Sequence, residues 1–287
     1  MYDLGELEVI APISRYKKYS KLVSTYGVTL QNFYVQNPWM GGVPTVHPQY
    51  SICYTETGRL STYKPSCQQL PRDKALRSIF TSRGEGYTFV SADFSQIEIR
   101  CDAEITQDPT MLAVFDQADG DIHSTTAAGI LASIGQSKDT LNDDEWEKVR
   151  DASKSVNFAC IYGGGAGAVR KGGRKSGIKL PLETWQTFVD AYRETFHVAR
   201  QVKLDYAEHC KQTLKTTIPY GKVCALHPDY AFTQSANFRV QGSAFVALAI
   251  ALCDLYKFYC ESPEVNFRIL KTVHDSIDVD CIDKDVK

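Results

Sequence analysis

Arg150, Lys154, Phe158 and Tyr162 recur every four residues in the segment RDASKSVNFACIYG, residues 150–163. On an α-helix that spacing stacks all four on one face. An ordinary amphipathic helix separates its cations from its rings. A stripe that mixes two cations with two rings instead suits a ligand that is phosphate at one end and flat at the other, such as a nucleoside triphosphate. The plain alternative is a solvated cationic face beside two core aromatics. Two aspartates distant in sequence add a second kind of chemistry: Asp93 ends YTFVSAD (87–93) and Asp275 lies in TVHDS (272–276). Brought side by side, they would repel each other unless divalent cations neutralised them.

The elements that must position these residues can be read from patterning. YTFVSAD is β-rich and bounded upstream by Gly84 and Gly86, which predicts a buried strand. Ser95 followed three residues later by Glu98 has the form of a capping box and predicts a helix directly after it. Helical patterns dominate from Asp143 to about Leu214, broken at Gly163, Gly164, Gly165 and Gly167 and by a basic loop GGRKSGIK (172–179). Ser243–Tyr259 is apolar almost all round and predicts a buried helix. Phe267–Cys281 predicts a hairpin with His274 and Asp275 near its turn. Its second half alternates, with Ile277, Val279 and Cys281 on one face and Ser276, Asp278 and Asp280 on the other. Near the N-terminus, SRYKKYSKLVSTY (14–26) predicts a basic, aromatic helix, and Asn37–Pro48 a loop. The sum is an α+β arrangement with its carboxylates at strand ends, which are rigid places to present ligands.

With 287 residues and 43% hydrophobic content the chain can bury one large core or two smaller ones. A formal net charge of -2 supplies no global basic field, so contact with nucleic acid would have to come from local patches. Nine cysteines without a CxxC pair indicate neither a disulfide framework nor a zinc site. The expected setting is reducing, intracellular and cytoplasmic. No N-terminal signal is evident, and Ala244–Cys253, the most apolar run, is too short to span a bilayer, so no membrane partner is expected.

These segments together resemble the family A DNA polymerases, of the bacterial polymerase I and phage type. VSADFSQIEIR (90–100) is similar to that family's motif A, the stripe helix to motif B, and TVHDS to motif C. TGRLSTYKPSCQQLP (57–71), DIHSTTA (121–127) and NFRVQGSA (237–244) match in order and rough spacing. The resemblance implies a right-hand palm of antiparallel sheet with helices, plus mostly helical fingers, with the thumb largely absent. It apportions the chain as a thumb-base remnant and linker over 1–48, palm over 49–125, fingers over 126–232 and palm again over 233–287.

It further implies template-directed addition of deoxynucleotides to a primer 3′ end. Asp93 and Asp275 would hold two Mg²⁺ ions, with Mn²⁺ as the substitute, and backbone carbonyls near Asp93 would complete the shell. Arg150 and Lys154 would grip the triphosphate, with His123 and Gln96 as further candidates, and Lys154 would protonate or stabilise the leaving pyrophosphate. Phe158 and Tyr162 would stack near the incoming sugar and base, and Phe158, where relatives vary between Phe and Tyr, implies poor use of dideoxynucleotides. Glu98 has two compatible readings, the capping box and a steric gate crowding the sugar 2′ position. Arg59, Asn237, Gln241 and His274 would line primer and template, Arg and Gln donors sensing minor-groove acceptors that barely differ between base pairs. Arg170, Lys171, Arg174 and Lys175 would grip the backbone.

The match departs from the family pattern at Ser276, where a glutamate is usual, at Phe94, where Tyr is common, and at Thr233, where some relatives carry Arg. The reading also expects primed DNA, deoxynucleoside triphosphates, and a processivity factor or further polymerase domains as partners. Its alternatives are a catalytically silent polymerase-like DNA-binding module and a related single-subunit RNA polymerase, the latter disfavoured by Glu98.

Overall fold

The computed structural model describes residues 10–38, 42–52, 54–68, 70, 74–175 and 177–286. Parts of three readings fall outside them: residues 1–9 and 39–41 of the N-terminal remnant, Gln69 and Pro71 of the 57–71 segment, and Ser176 of the basic loop. In chain order the elements are α1 (Ile10–Leu22), a π-helical turn (Val23–Val28), α2 (Thr29–Gln31), β1 (Tyr34–Gln36), β2 (Pro44–Val46), β3 (Gln49–Ser51), β4 (Ser61–Tyr63), α3 (Lys74–Arg77) and β5 (Tyr87–Asp93). Then follow α4 (Ile97–Thr106), α5 (Pro109–Phe115), α6 (Ile122–Ser133), α7 (Asp143–Ile161), α8 (Ala166–Lys175), α9 (Leu182–Thr195), α10 (His197–Thr213), β6 (Lys215–Thr217), β7 (Val223–Ala225), α11 (Ala231–Glu261), β8 (Phe267–Val273) and β9 (Ser276–Ile282). This is an α+β fold with an antiparallel sheet and a mostly helical middle, as expected.

The chain forms two compact units. The first comprises 1–55, 60–93 and 251–287; the second comprises 56–59 and 94–250. At the centre of the first is a three-stranded antiparallel sheet in the order β5-β9-β8. The β8–β9 hairpin is the one expected from alternation, with His274 in the turn at φ 55. Alternation did not tell which side faces water. Asp278 and Asp280 are buried, because Lys271 sits 3.0 Å from Asp278, the Ser91 hydroxyl donates to Asp278, and Arg83 pairs with Asp280. Buried carboxylates with such partners stiffen the strand that follows Asp275. Pro44–Val46, read as loop, pairs with β1 as a strand.

The second unit is helical. Its main core gathers Ile99, Met111, Ile122, Ile130, Val156, Trp185 and Phe196 from α4 to α9 and the residue after it. Two corrections arise here. Gly172–Lys175, read as part of a basic loop, is the last turn of α8, where Gly173 lies against the Trp185 indole with no space for a Cβ. The apolar run at Ser243–Tyr259 belongs to a longer helix, of which Phe238, Val240, Ala244 and Leu248 are buried while Ile250, Tyr256, Phe258 and Tyr259 are exposed. The helix from Pro228 to Glu261 is long and apolar enough, by length and composition alone, to cross a membrane. The ten-residue run had pointed to a shorter apolar segment; core helices of soluble proteins meet the same test.

Candidate active site

In the first unit, β5 and β9 pair antiparallel with Asp93 opposite Ser276, so Asp275, the residue before Ser276, lies at the same end of the sheet as Asp93. Asp93 is exposed and Asp275 half-buried. An exposed carboxylate at the end of β5 and a half-buried one in the turn before β9 offer hard oxygen donors, which fits Mg²⁺ or Mn²⁺, ions that keep several waters when bound. Among the described residues no group of three or more His, Cys, Asp or Glu side chains converges as a metal site. The pair would therefore leave most of the shell to water, backbone and substrate oxygens. Ser276 donates its hydroxyl to the Val273 carbonyl at 2.9 Å and so staples the turn. His274 is exposed in that turn, next to Asp275.

In the second unit the stripe is real. α7 starts with a capping box, Asn142 Oδ1 accepting from Glu145 N at 2.9 Å and Glu145 Oε2 from Asn142 N at 3.0 Å, and its first turn is acidic, which suits the helix dipole. Ala152, Val156, Cys160 and Ile161 face the core. Arg150, Lys154 and Phe158 lie away from that core face, whereas Tyr162, at the C-cap, packs against the edge of the core. Phe158 is 47% exposed, so its ring is available to solvent on this side of α7. The helix stops in a Schellman turn: Gly163 at φ 75 donates to Cys160 O at 3.0 Å and Gly164 to Ala159 O at 2.7 Å.

The cations on this face have acidic neighbours. Lys154 reaches Asp151 at 2.7 Å on the exposed side of the helix. Arg150 Nε donates to Asp121 at 2.8 Å, and Asp121 also caps α6 by accepting from His123 N and Ser124 Oγ. Burial pulls the Asp121 carboxyl up, but the bonds from Arg150, Ser124 and His123 outweigh it and hold it below the usual carboxylate range. Hydrogen bonding to Asp121 likewise holds the Arg150 guanidinium more firmly charged.

His123 is 7% exposed and fixed from two sides. The Thr126 hydroxyl donates to Asn157 Oδ1 at 2.7 Å, which orients the amide so that Asn157 Nδ2 meets His123 Nδ1 at 2.7 Å. An Nδ1 that accepts leaves the proton on Nε2. Burial, opposed by Asp121 and reinforced by Arg150 and Lys154, brings the imidazole down to about 4, so His123 is neutral at physiological pH. It can offer a phosphate a neutral N–H, not an ion pair. Its ring lies 5.9 Å from that of Phe158.

The Ser95–Glu98 capping box is not formed. α4 begins at Ile97, with Gln96 as N-cap in the left-handed region at φ 53 and no side-chain cap. Glu98 is drawn away by stronger partners: it forms an ion pair with Arg59 and accepts from the Tyr162 hydroxyl. Gln241 Nε2 lies 3.4 Å from the same hydroxyl. Arg59, Glu98, Tyr162 and Gln241 thus form one connected set, and burial together with Glu98 pushes the Tyr162 phenol well above its ordinary value. Gln96 Nε2 reaches the Gly120 carbonyl at 3.5 Å while its Oε1 is buried without a partner. Asn237, one turn before Gln241, has a buried Oδ1 also without a partner. Sequence reasoning missed Asp121, Asn157 and Thr126. Asp121 carried a legible signal, an Asp directly before a helical run, whereas Asn157 and Thr126 look like ordinary polar positions.

The model of DNA polymerase family A matches residues 2–287. The chain is 30% identical over 241 residues to DNA polymerase I of Aquifex aeolicus, covering 82% of this chain and 39% of that one. It is 27% identical over 292 residues to DNA polymerase I of Streptococcus pneumoniae, covering 96% and 31% respectively. A DNA polymerase of Bacillus phage SP01 is 28% identical over 256 residues, covering 82% and 27%. Among solved structures, the POL domain of Pol1 from M. smegmatis, in complex with DNA primer-template and dNTP, superposes with a TM-score of 0.76 at 23% identity, over 93% of this chain and 46% of that one. The chain therefore spans less than half the length of these relatives.

Proposed function

The chain belongs to DNA polymerase family A, and from that membership we propose that it extends a DNA primer, adding deoxynucleotides opposite a template by two-metal phosphoryl transfer. The observation that carries this reading is the placing of Asp93 and Asp275 at one end of paired strands, with Asp93 opposite Ser276. Asp93 and Asp275 would hold Mg²⁺ or Mn²⁺, and the chemistry such an ion would supply there is positive charge towards the primer hydroxyl and the triphosphate.

The remaining work falls to the chain's own groups. Arg150, kept charged by Asp121, and Lys154 orient the triphosphate, and Lys154 Nζ carries the proton offered to the departing pyrophosphate. His123 donates from Nε2 as a neutral group. Phe158 and Tyr162 supply the flat surface for sugar and base. Glu98, held by Arg59 and Tyr162, crowds the sugar 2′ position. A guanidinium has five donors, so Arg59 can keep Glu98 and still reach a minor-groove acceptor, as Gln241 can beside it. Primed DNA and deoxynucleoside triphosphates are the proposed partners, joined by a processivity factor or further polymerase domains, in the intracellular compartment where DNA is copied.

A catalytically silent DNA-binding module is the second reading, favoured by Ser276, which binds its own turn where a third carboxylate is usual in the family. Primer extension separates the readings. Extension with deoxynucleotides and Mg²⁺ supports the polymerase. Binding of primed DNA without extension supports the module, and a preference for ribonucleotides would point to an RNA polymerase.

A further inference from the structure

Three bonds strap the start of α6 to α7: Arg150 Nε to Asp121 at 2.8 Å, Ser153 Oγ to the His123 carbonyl at 2.7 Å, and Asn157 Nδ2 to His123 Nδ1 at 2.7 Å. Only the third touches the imidazole, so it is the one that can decide where the ring carries its proton. Asn157 is fully buried and Thr126 is 2% exposed, so neither side chain has water as an alternative partner.

An amide can turn either a donor or an acceptor towards its neighbour. Thr126 makes the choice here. Its hydroxyl donates to Asn157 Oδ1 at 2.7 Å and has no other acceptor among the described residues. Turning the amide round would leave that buried hydroxyl without an acceptor, which is costly. With Oδ1 held by Thr126, Nδ2 faces the ring, Nδ1 accepts, and the proton stays on Nε2. Nε2 makes no hydrogen bond among the described residues and is not among their fully enclosed orphan atoms, so its N–H is open to a ligand.

That position 157 holds an amide matters for charge. The charged groups that bear on His123 are Asp121, before α6, and Arg150 and Lys154, on α7. Asp121 is already paired with Arg150. A carboxylate at position 157 would accept from Nδ1–H and favour the doubly protonated ring. The amide exerts no such pull, and the ring stays neutral beside the two cations.

We propose that Asn157, oriented by Thr126, is a positioning residue: acting through His123 Nδ1, it fixes the imidazole as a neutral Nε2–H donor to a phosphate held by Arg150 and Lys154. Recognition of that phosphate then does not vary with the protonation of His123 across the physiological range. The fixing of the proton stands on geometry; the phosphate as acceptor rests on the polymerase reading.

The test uses the full chain, with isotope-labelled histidine, and its Asn157→Asp, Thr126→Val and Thr126→Ser variants. Long-range proton–nitrogen correlation spectra read the tautomer of each of the six histidines, and the signals missing from His123→Gln identify His123. The parent is expected to show a bare Nδ1 and a protonated Nε2, unchanged from about pH 8 to about pH 5.5. Asn157→Asp is expected to protonate both nitrogens at about pH 7, Thr126→Val to mix the two tautomers, and Thr126→Ser to restore the parent spectrum.

Calorimetric titration with inorganic triphosphate, each affinity taken relative to the parent at the same pH, gives the second readout. Relative affinity is expected to fall about tenfold from about pH 6 to about pH 8.5 in Asn157→Asp, and to be about threefold or more weaker throughout in Thr126→Val but not in Thr126→Ser. A proton on Nδ1 in the parent, or a His123 that titrates at its ordinary value, would overturn the proposal. So would the expected spectra accompanied by the same triphosphate affinity in every variant. Primer extension by the parent reports separately on the polymerase reading: extension alongside either of those results rejects the positioning role alone.

Discussion

The Tyr162 hydroxyl donates to the Glu98 carboxylate, so the residue that caps α7 is tied to the first turn of α4. Arg59 neutralises the same carboxylate. Glu98 is thereby fixed in place, as the proposed gate against the sugar 2′ position requires. Glu98→Ala is expected to raise ribonucleotide incorporation relative to deoxynucleotide by about tenfold or more, the scale on which removal of a steric block operates. Single-nucleotide insertion kinetics with matched ribo- and deoxynucleotides would read this, and unchanged discrimination would leave Glu98 as a structural tie only.

Arg150 and Lys154 lie on the same face but are embedded differently, and their alanine variants should differ accordingly. Lys154→Ala is expected to lower the rate of nucleotide addition by about 100-fold or more, as for loss of a general acid, with little change in stability, since its pairing with Asp151 is exposed. Arg150→Ala removes a partner of the Asp121 cap on α6 and should both raise the nucleotide KM and cost about 1 kcal/mol of stability. Pre-steady-state insertion and urea unfolding separate the two.

His123 makes stability depend on pH. Its folded value, about 4, lies below the unfolded 6.5, so the unfolded chain takes up the proton first. The stabilisation is complete above about pH 6.5 and is lost as pH falls towards about 4, to a limit of about 3 kcal/mol. Urea unfolding of the parent and of His123→Gln at about pH 7 and about pH 5 should show a steeper loss for the parent. Equal losses would mean that the imidazole titrates normally.

Asp102 is fully buried and paired with Lys203 at 2.6 Å, its Oδ1 having no partner. Burial pushes the carboxyl up, and Lys203 only partly restores it. Lys203→Met should therefore destabilise by about 3–5 kcal/mol, and adding Asp102→Leu should recover most of that loss. Equilibrium unfolding of the single and double variants tests this; additive losses would show that the ion pair is not the source of the cost.

Much of this was legible because it is local. The strand at Tyr87–Asp93, the β8–β9 hairpin and the glycine stop after Tyr162 follow from β-branched runs, alternation and backbone freedom. The strand is not buried as expected, however: its residues are half-buried or exposed, because it pairs with β9 on one side only. The four-residue stripe needed only helix geometry. What escaped depends on partners far away in sequence. Of the two readings of Glu98, the cap fails because Arg59 and Tyr162 claim the carboxylate. Asp278 and Asp280 read only as lying on the face opposite Ile277, because period two separates faces without saying that both are covered, here with Lys271, Ser91 and Arg83 as partners. Gly172 and Gly173 read as loop, yet at Gly173 close packing against Trp185 favours a residue without a side chain inside a helix.

The most direct test of the central claim is single-turnover primer extension by the parent, Asp93→Ala and Asp275→Ala, with primed-DNA binding measured in parallel. Extension by the parent that is lost in both variants, each still folded and binding DNA, is the predicted result. Extension that survives either substitution undiminished would contradict the assignment of these two aspartates as the metal-holding pair.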